Sequence, residues 1–331
     1  MTDHAMHQVF VTGGSGFVGR NLLRRLRQER CIVAALARSE SAANVVARLG
    51  ATPARGDLKD VDLLAQSMAG CDTVFHAAAL VDEWGPQRQF EEVNVGGTAI
   101  VLEAARRAGV ACVVHVGTEA MYADGRSSLE NLDETRPVPR RPLPRYPATK
   151  AYAEKLVLEA NSPAMRCISV RPRLIWGKDD TSLLPKFVQA VQQGRFRWID
   201  QGRALTSTTH VDNVAEALVL AARRGQGGQA YFISDGPPVS YKEFFSRLLE
   251  TAGVSPPSGS VPLALAQGYA RTMEGLWESL GLRSTPPATR MLIELLAKPV
   301  TVNVAKAEQE LGYVPVISRA QGLSALGSCG G

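Results

Sequence analysis

Tyr146 and Lys150 stand four residues apart in Tyr146-Pro147-Ala148-Thr149-Lys150, a spacing that puts both side chains on one face if the segment is helical. A phenol beside an ammonium is a proton donor and acceptor. A free Tyr titrates near ~10, and a fixed positive neighbour favours the phenolate and lowers that value. The pair is common by chance, so its weight depends on the elements around it.

A second constellation lies at the start of the chain. Thr12-Gly13-Gly14-Ser15-Gly16-Phe17-Val18-Gly19 follows the apolar run Val9-Phe10-Val11 and opens a helical pattern from Phe17 to Gln28. In a strand–turn–helix setting, Gly13, Gly16 and Gly19 supply the tight turn, the close approach of a pyrophosphate and close helix–strand packing. The helix N-terminus adds free N–H donors and a dipole that favours an anion. An NAD site usually places an Asp or Glu about 20 residues on, against the ribose 2′-hydroxyl. Here the second strand ends Ala37-Arg38-Ser39 with no acid. Arg38 suits a 2′-phosphate and Ser39 an added hydrogen bond, which favours NADP. The alternative is a surface Arg38 stacked on adenine, leaving NAD equally acceptable.

These groups need a frame. The first half alternates β-branched runs with helical patterns, which predicts an α/β fold with a doubly wound parallel sheet of Rossmann type. Strands are expected at Ile32–Leu36, Thr52–Arg55, Asp72–His76, Cys112–Val116 and Arg166–Val170, with Tyr146 opening a helix to about Ala160. Beyond Arg171-Pro172, Pro and Gly become frequent. Helices are expected at Leu183–Gln193, Val211–Ala222, Tyr241–Ala252 and Leu263–Leu282, and a strand at Tyr231-Phe232-Ile233. The reading divides the chain into a dinucleotide-binding domain over 1–172, rejoined by about 205–235, and a smaller, mainly helical substrate-binding region over 173–327.

The 331 residues carry 45% hydrophobic and 21% charged side chains, an ordinary globular composition, with a net charge of +5. The basic residues are scattered without aromatic interleaving, which argues against nucleic-acid binding. Arg271, Glu274 and Glu278 interrupt the longest apolar helix and argue against a membrane span. The five cysteines form no Cys-x-x-Cys, and reduced, mostly buried thiols are expected. With no apolar leader at Met1–Gln8, the expected compartment is the cytoplasm. No ligand set for a metal is spaced around His115.

Taken in order, these motifs resemble the extended short-chain dehydrogenase/reductase family, within the NAD-dependent epimerase/dehydratase superfamily. The likeness rests on the glycine turn, Gly56-Asp57-Leu58, His76-Ala77-Ala78-Ala79, Asn94-Val95-Gly96-Gly97-Thr98, Tyr146-x-x-x-Lys150 and Arg171-Pro172. It implies that the turn, with Ser15, Phe17 and Val18, holds the cofactor. It further implies that Asp57 and Leu58 hold the adenine, that Ala77, Ala78, Ala79 and Val116 line the dinucleotide, and that Pro172 lies near the nicotinamide. The catalytic hydroxyl of the family falls on Thr118, and Lys150 is implied to hold the nicotinamide ribose.

Ala79 to Pro86, Thr209-His210-Val211-Asp212-Asn213-Val214, Tyr231 to Gly236, Pro287 to Arg290 and Leu311 to Pro315 are similar to the 3β-hydroxysteroid dehydrogenase branch. That branch implies hydride transfer between a nicotinamide and a carbonyl or secondary alcohol on a sterol or long-chain 3-oxo acid, with Tyr146 as proton donor. Trp84 and Trp176 are expected to border the substrate. The basic, proline-rich loop Arg136–Arg145 is expected to be solvated or to receive a carboxylate. A homodimer through the helix before the fifth strand and the Tyr146 helix is implied. Two other readings stay open. A nucleotide-sugar epimerase also fits the motifs, although a dehydratase would carry Asp-Glu where Glu119-Ala120 stand. A dinucleotide-sensing regulator would lack the Tyr or the Lys, and both are present.

Overall fold

The structure, a computed structural model, describes residues 3–125, 127–282 and 284–328. The chain runs β1 (Gln8–Thr12), α1 (Phe17–Gln28), β2 (Ile32–Ala37), α2 (Glu40–Arg48), β3 (Thr52–Arg55), α3 (Val61–Met68), β4 (Thr73–His76), α4 (Gly97–Arg107), β5 (Cys112–Val116), α5 (Tyr146–Glu159) and β6 (Arg166–Pro172). It continues with α6 (Leu183–Gln192), α7 (Val211–Arg224), β7 (Ala230–Ile233), α8 (Tyr241–Thr251), α9 (Leu263–Ser279) and α10 (Arg290–Ala297).

Among the described residues, β1 to β7 form one seven-stranded parallel sheet in the order β3-β2-β1-β4-β5-β6-β7. Val9, Phe10, Val11, Val74, Phe75, Val113 and Val114 are wholly buried because helices cover both faces. Each such side chain contributes about 1.5–3 kcal/mol of burial. Leu22, Leu23, Leu26, Val214 and Leu218 from α1 and α7 pack on one face. Leu64, Val101, Leu102 and Val157 from α3, α4 and α5 pack on the other.

The strand order reverses between β1 and β4, and in such sheets the crevice at the C-terminal strand ends is where ligands bind. The register sets Thr12 opposite His76 and His76 opposite His115, so β1, β4 and β5 end level. The glycine turn, Ala77–Ala79 and Thr118 therefore emerge together along this edge.

After β6 a second aromatic cluster, with Phe187, Trp198, Tyr241, Phe244 and Phe245, builds a lobe above that edge. Residues 211–233 return to the sheet as α7 and β7. Conversely, Leu129–Leu132 from the first half pairs with Val300–Val302, so the two regions interleave in sequence. Helix α9 stops at Ser279, short of the expected Leu282, and Gly281 follows in a left-handed conformation at φ +62°. Cys71, Cys112 and Cys167 are buried and free, while Cys31 is half-buried. Burial pushes the Cys71 and Cys112 thiols up to about 11. Cys329 lies outside the described residues.

Candidate active site

The glycine turn admits no side chains at its tightest points. A Cβ at Gly19 would lie 2.0 Å from the Gly13 carbonyl oxygen, and one at Gly13, where φ is +73°, 2.7 Å from the Ala78 nitrogen. Helix α1 then begins at Phe17 behind Gly16, with no side chain capping its first N–H groups. The result is a backbone cradle level with the end of β4, open to an anion at the helix N-terminus.

A polar chain ties this cradle to Tyr146. Thr98 Oγ1 donates to the Asn94 carbonyl at 2.6 Å, so His76 Nε2, 2.9 Å away, is the donor to Thr98. His76 Nδ1 then accepts from Thr12 Oγ1 at 2.7 Å. Burial, with the Lys150 charge adding, holds His76 down at about 3. Asn94 sits in a π-helical turn, Glu91–Gly96. Its amide accepts from the Leu80 N–H and donates to the Leu80 carbonyl and to Thr149 Oγ1. The loop after β4 is thereby pinned to the first turn of α5.

Tyr146 opens α5 directly after Arg145, whose φ of +66° is unusual for a side-chain-bearing residue. Lys150, one turn on and buried, donates to the Val116 carbonyl at 2.7 Å and to His115 Nε2 at 2.9 Å. An ammonium only donates, so His115 is neutral with its proton on Nδ1, which has no partner among the described residues. Burial brings Lys150 down to about 8. The expected lowering of the Tyr146 phenol by Lys150 is not what the structure shows. Burial raises that phenol above its usual value, the Glu119 charge raises it further, and a hydrogen bond with Thr118 opposes them. The ammonium is engaged by β5 instead.

Thr118 Oγ1 caps the turn Glu119–Tyr122 by accepting from the Ala120 N–H at 3.1 Å, and donates to Glu119 Oε2 at 3.0 Å. Glu119 in turn accepts from Arg173 Nη1 at 2.5 Å in a fully buried ion pair. In the sequence Glu119 stands out only as half of a missing carboxylate pair and Arg173 carries no signal; only the fold brings that guanidinium to Glu119.

One cavity of about 840 Å³ joins these pieces. Gly13, Gly16, Phe17, Val18, Gly19, Ala77, Ala79, Val116, Thr118, Tyr146, Lys150 and Pro172 line one end. Ser15 and Ala78 adjoin the turn without entering the wall. Arg38, Ser39, Asp57 and Leu58 stand beyond the ends of β2 and β3, the strands beside β1. Arg38 is exposed and has no ion pair among the described residues. Ser39 caps α2 by accepting from the Ala42 N–H at 3.2 Å, and Asp57 accepts from the Lys59 N–H at 3.1 Å.

The far end of the cavity is mostly apolar, with Phe187, Phe196, Leu265, Tyr269, Met291, Leu292 and Leu296 in its wall beside Lys186, Arg195 and Arg197. The tryptophans expected there are elsewhere. Trp176 is wholly buried, donating to Asp235 Oδ2 at 2.7 Å and set edge-on to His210 and Phe244. The Arg145 guanidinium carbon stands 3.8 Å from the Trp84 ring centroid, and the Trp84 indole N–H points toward the Leu282 carbonyl. Both serve packing because each indole N–H finds its acceptor inside the protein. Arg145 also donates to the Gly85 carbonyl and to Glu278, while Arg140 and Arg141 are exposed and Arg136 half-buried, all three outside the wall. The basic loop thus directs no free cation into the cavity.

A model of the 3-beta hydroxysteroid dehydrogenase/isomerase family matches residues 10–264. The chain is 49% identical over 323 residues to a 4-hydroxy-2-methyl-3-oxo-4-farnesyl-3,4-dihydroquinoline-1-oxide ketoreductase of Stigmatella aurantiaca, covering 98% of this chain and 96% of that one. It is 35% identical to a 2-alkyl-3-oxoalkanoate reductase of Stenotrophomonas maltophilia strain K279a, over 96% and 98% of the two chains. The crystal structure of gox2253 superposes with a TM-score of 0.78 at 28% identity, covering 98% of each chain.

Proposed function

The chain belongs to the 3-beta hydroxysteroid dehydrogenase/isomerase family, and on that premise we propose that it interconverts a ketone and a secondary alcohol on a large apolar substrate, using a nicotinamide dinucleotide. The observation that carries this reading is the continuity of one cavity from the glycine cradle, past Tyr146, into the apolar chamber. The cradle fits the dinucleotide: two glycines leave no room for a Cβ and the N-terminus of α1 is uncapped. When bound, the cofactor supplies or accepts the hydride at the carbonyl carbon.

The protein's part is positioning and proton movement. Tyr146 donates its phenolic proton to the ketone oxygen, and its raised proton affinity keeps it protonated for reduction at neutral pH. Thr118 lies against the phenol and orients it. Lys150, fixed at the end of β5, is the group that would hold the nicotinamide ribose. Asp57 and Leu58, beyond the end of β3, would hold the adenine. Arg38, unpaired and exposed beyond β2 with no acid beside it, favours NADP over NAD.

Against a sugar-nucleotide dehydratase or epimerase stand the apolar chamber, the capture of Glu119 by Arg173, and Ala120 where a second carboxylate would be needed. A homodimer through the outer faces of α4 and α5 accords with Tyr152 on α5, which is 63% exposed. Among the described residues no helix is long and apolar enough to cross a membrane. The test is NADPH and NADH oxidation across sterol ketones, long-chain 3-oxo acids and nucleotide sugars. Turnover of an apolar ketone is expected, and selective turnover of a nucleotide sugar would overturn the proposal.

A further inference from the structure

Glu119 and Arg173 are 4% and 1% exposed, yet both reach the cavity wall beside Tyr146. Both carboxylate oxygens of Glu119 are committed, one to Arg173 Nη1 and one to the Thr118 hydroxyl. Arg173 Nη2 extends the chain to the Tyr241 hydroxyl at 2.5 Å and the Leu295 carbonyl at 2.9 Å, so the pair is anchored to α8 and α10. A hydroxyl has one proton and two acceptor sites. Thr118 gives its proton to Glu119 and accepts from the Ala120 N–H, which leaves a single acceptor site on its oxygen.

We propose that Glu119, held by Arg173, is a positioning residue that takes the Thr118 proton, fixes the Thr118 hydroxyl beside the Tyr146 phenol and sets a negative charge next to it, and so governs how the catalytic phenol gives up and takes its proton. This rests on the oxidoreductase reading above. A buried ion pair is often no net gain in stability, so a role in orienting the site accounts for its place better than stability does. The charged and titratable groups around it are Tyr146 and Lys150 from α5, Arg173 beyond β6 and Tyr241 from α8. Glu83 and Lys186 stand further along the same wall.

The direction of the effect follows from charge. In alcohol oxidation the phenolate accepts the alcohol's proton, so the rate rises with pH through the Tyr146 titration. Removing the Glu119 charge lowers that titration and moves the rising limb to lower pH. The experiment is the pH profile of alcohol oxidation with NADP⁺, using the alcohol of whichever apolar ketone the wild type reduces, for wild type and Glu119→Gln. A downward shift of about one pH unit with the KM for NADP⁺ unchanged is expected; a merely structural role would lower the melting temperature and leave the limb in place. A folded Glu119→Gln with an unmoved limb overturns the proposal. Should that variant not fold, Glu119→Asp decides, since it keeps the charge but draws the carboxylate away from Thr118. A loss in kcat of about fivefold or more supports the proposal and a smaller one overturns it. A wild type that turns over no ketone overturns the oxidoreductase reading and this inference with it. Wild-type turnover with an unmoved limb overturns the inference alone.

Discussion

At one end of the cavity the wall is backbone. Gly13 and Gly19 bring main-chain atoms so close that a single methyl group would collide with a carbonyl or an amide. At the other end the wall is side chain, with Phe187, Tyr269, Met291 and Leu292 converging from α6, α9 and α10. On the proposed reading the first end recognises a part of its ligand common to every turnover, a pyrophosphate, and tolerates no change of volume. The second presents mostly shape and apolar area, which many side chains of similar size can supply, with Lys186, Arg195 and Arg197 in the same wall. A cavity so divided keeps one cofactor while leaving its substrate open to change.

The sharpest way to break that contrast is Gly19→Ala. Its Cβ would sit 2.0 Å from the Gly13 oxygen, so thermal stabilisation by NADPH should disappear. Retained stabilisation would show that the cradle yields after all. Arg38→Ala acts at the same end without steric conflict. It should raise the KM for NADPH by about tenfold or more, the worth of one charge-assisted contact to phosphate, and leave NADH unchanged. At the chamber end, Leu292→Ala should raise the KM for a long apolar ketone by about tenfold while sparing NADPH binding. An equal effect on both ligands would erase the division.

The smallest effect concerns the polar chain between the two ends. His76 is held down at about 3, whereas an unfolded His titrates near ~6.5. The unfolded state therefore binds more protons between those values, and stability is complete above the upper one. It falls as pH drops toward about 3, by up to roughly 1.4 kcal/mol per unit. His76→Asn should flatten the decline of melting temperature between pH 6.5 and 4.5 (about the upper half of that window); an unchanged slope would assign acid sensitivity to other groups.

The contrast also explains what was legible in the sequence. The strands around the site, the glycine spacing and the Tyr146 helix are written in neighbouring residues, and the observed elements begin and end within a few positions of those expected. The chamber is not local. Its side chains come from α6 and, much later in the chain, from α9 and α10, so Trp84 and Trp176 are eligible from their loops in the sequence, although each indole is committed elsewhere. The same holds for charge. Tyr146 and Lys150 were close in sequence, but the group that most directly acts on the phenol's charge is Glu119, joined to Arg173 across 54 residues. His115, which holds Lys150, gave no signal beyond its place at the end of β5.

The central claim is that Tyr146 moves the proton in a reaction whose cofactor and apolar substrate share one cavity. Tyr146→Phe tests it most directly, measured by ketone-dependent NADPH oxidation alongside thermal stabilisation by NADPH. Turnover should fall by about a thousandfold or more, with the stabilisation kept. Turnover within tenfold of wild type (a loss of only about 1.4 kcal/mol in barrier terms) would contradict the account.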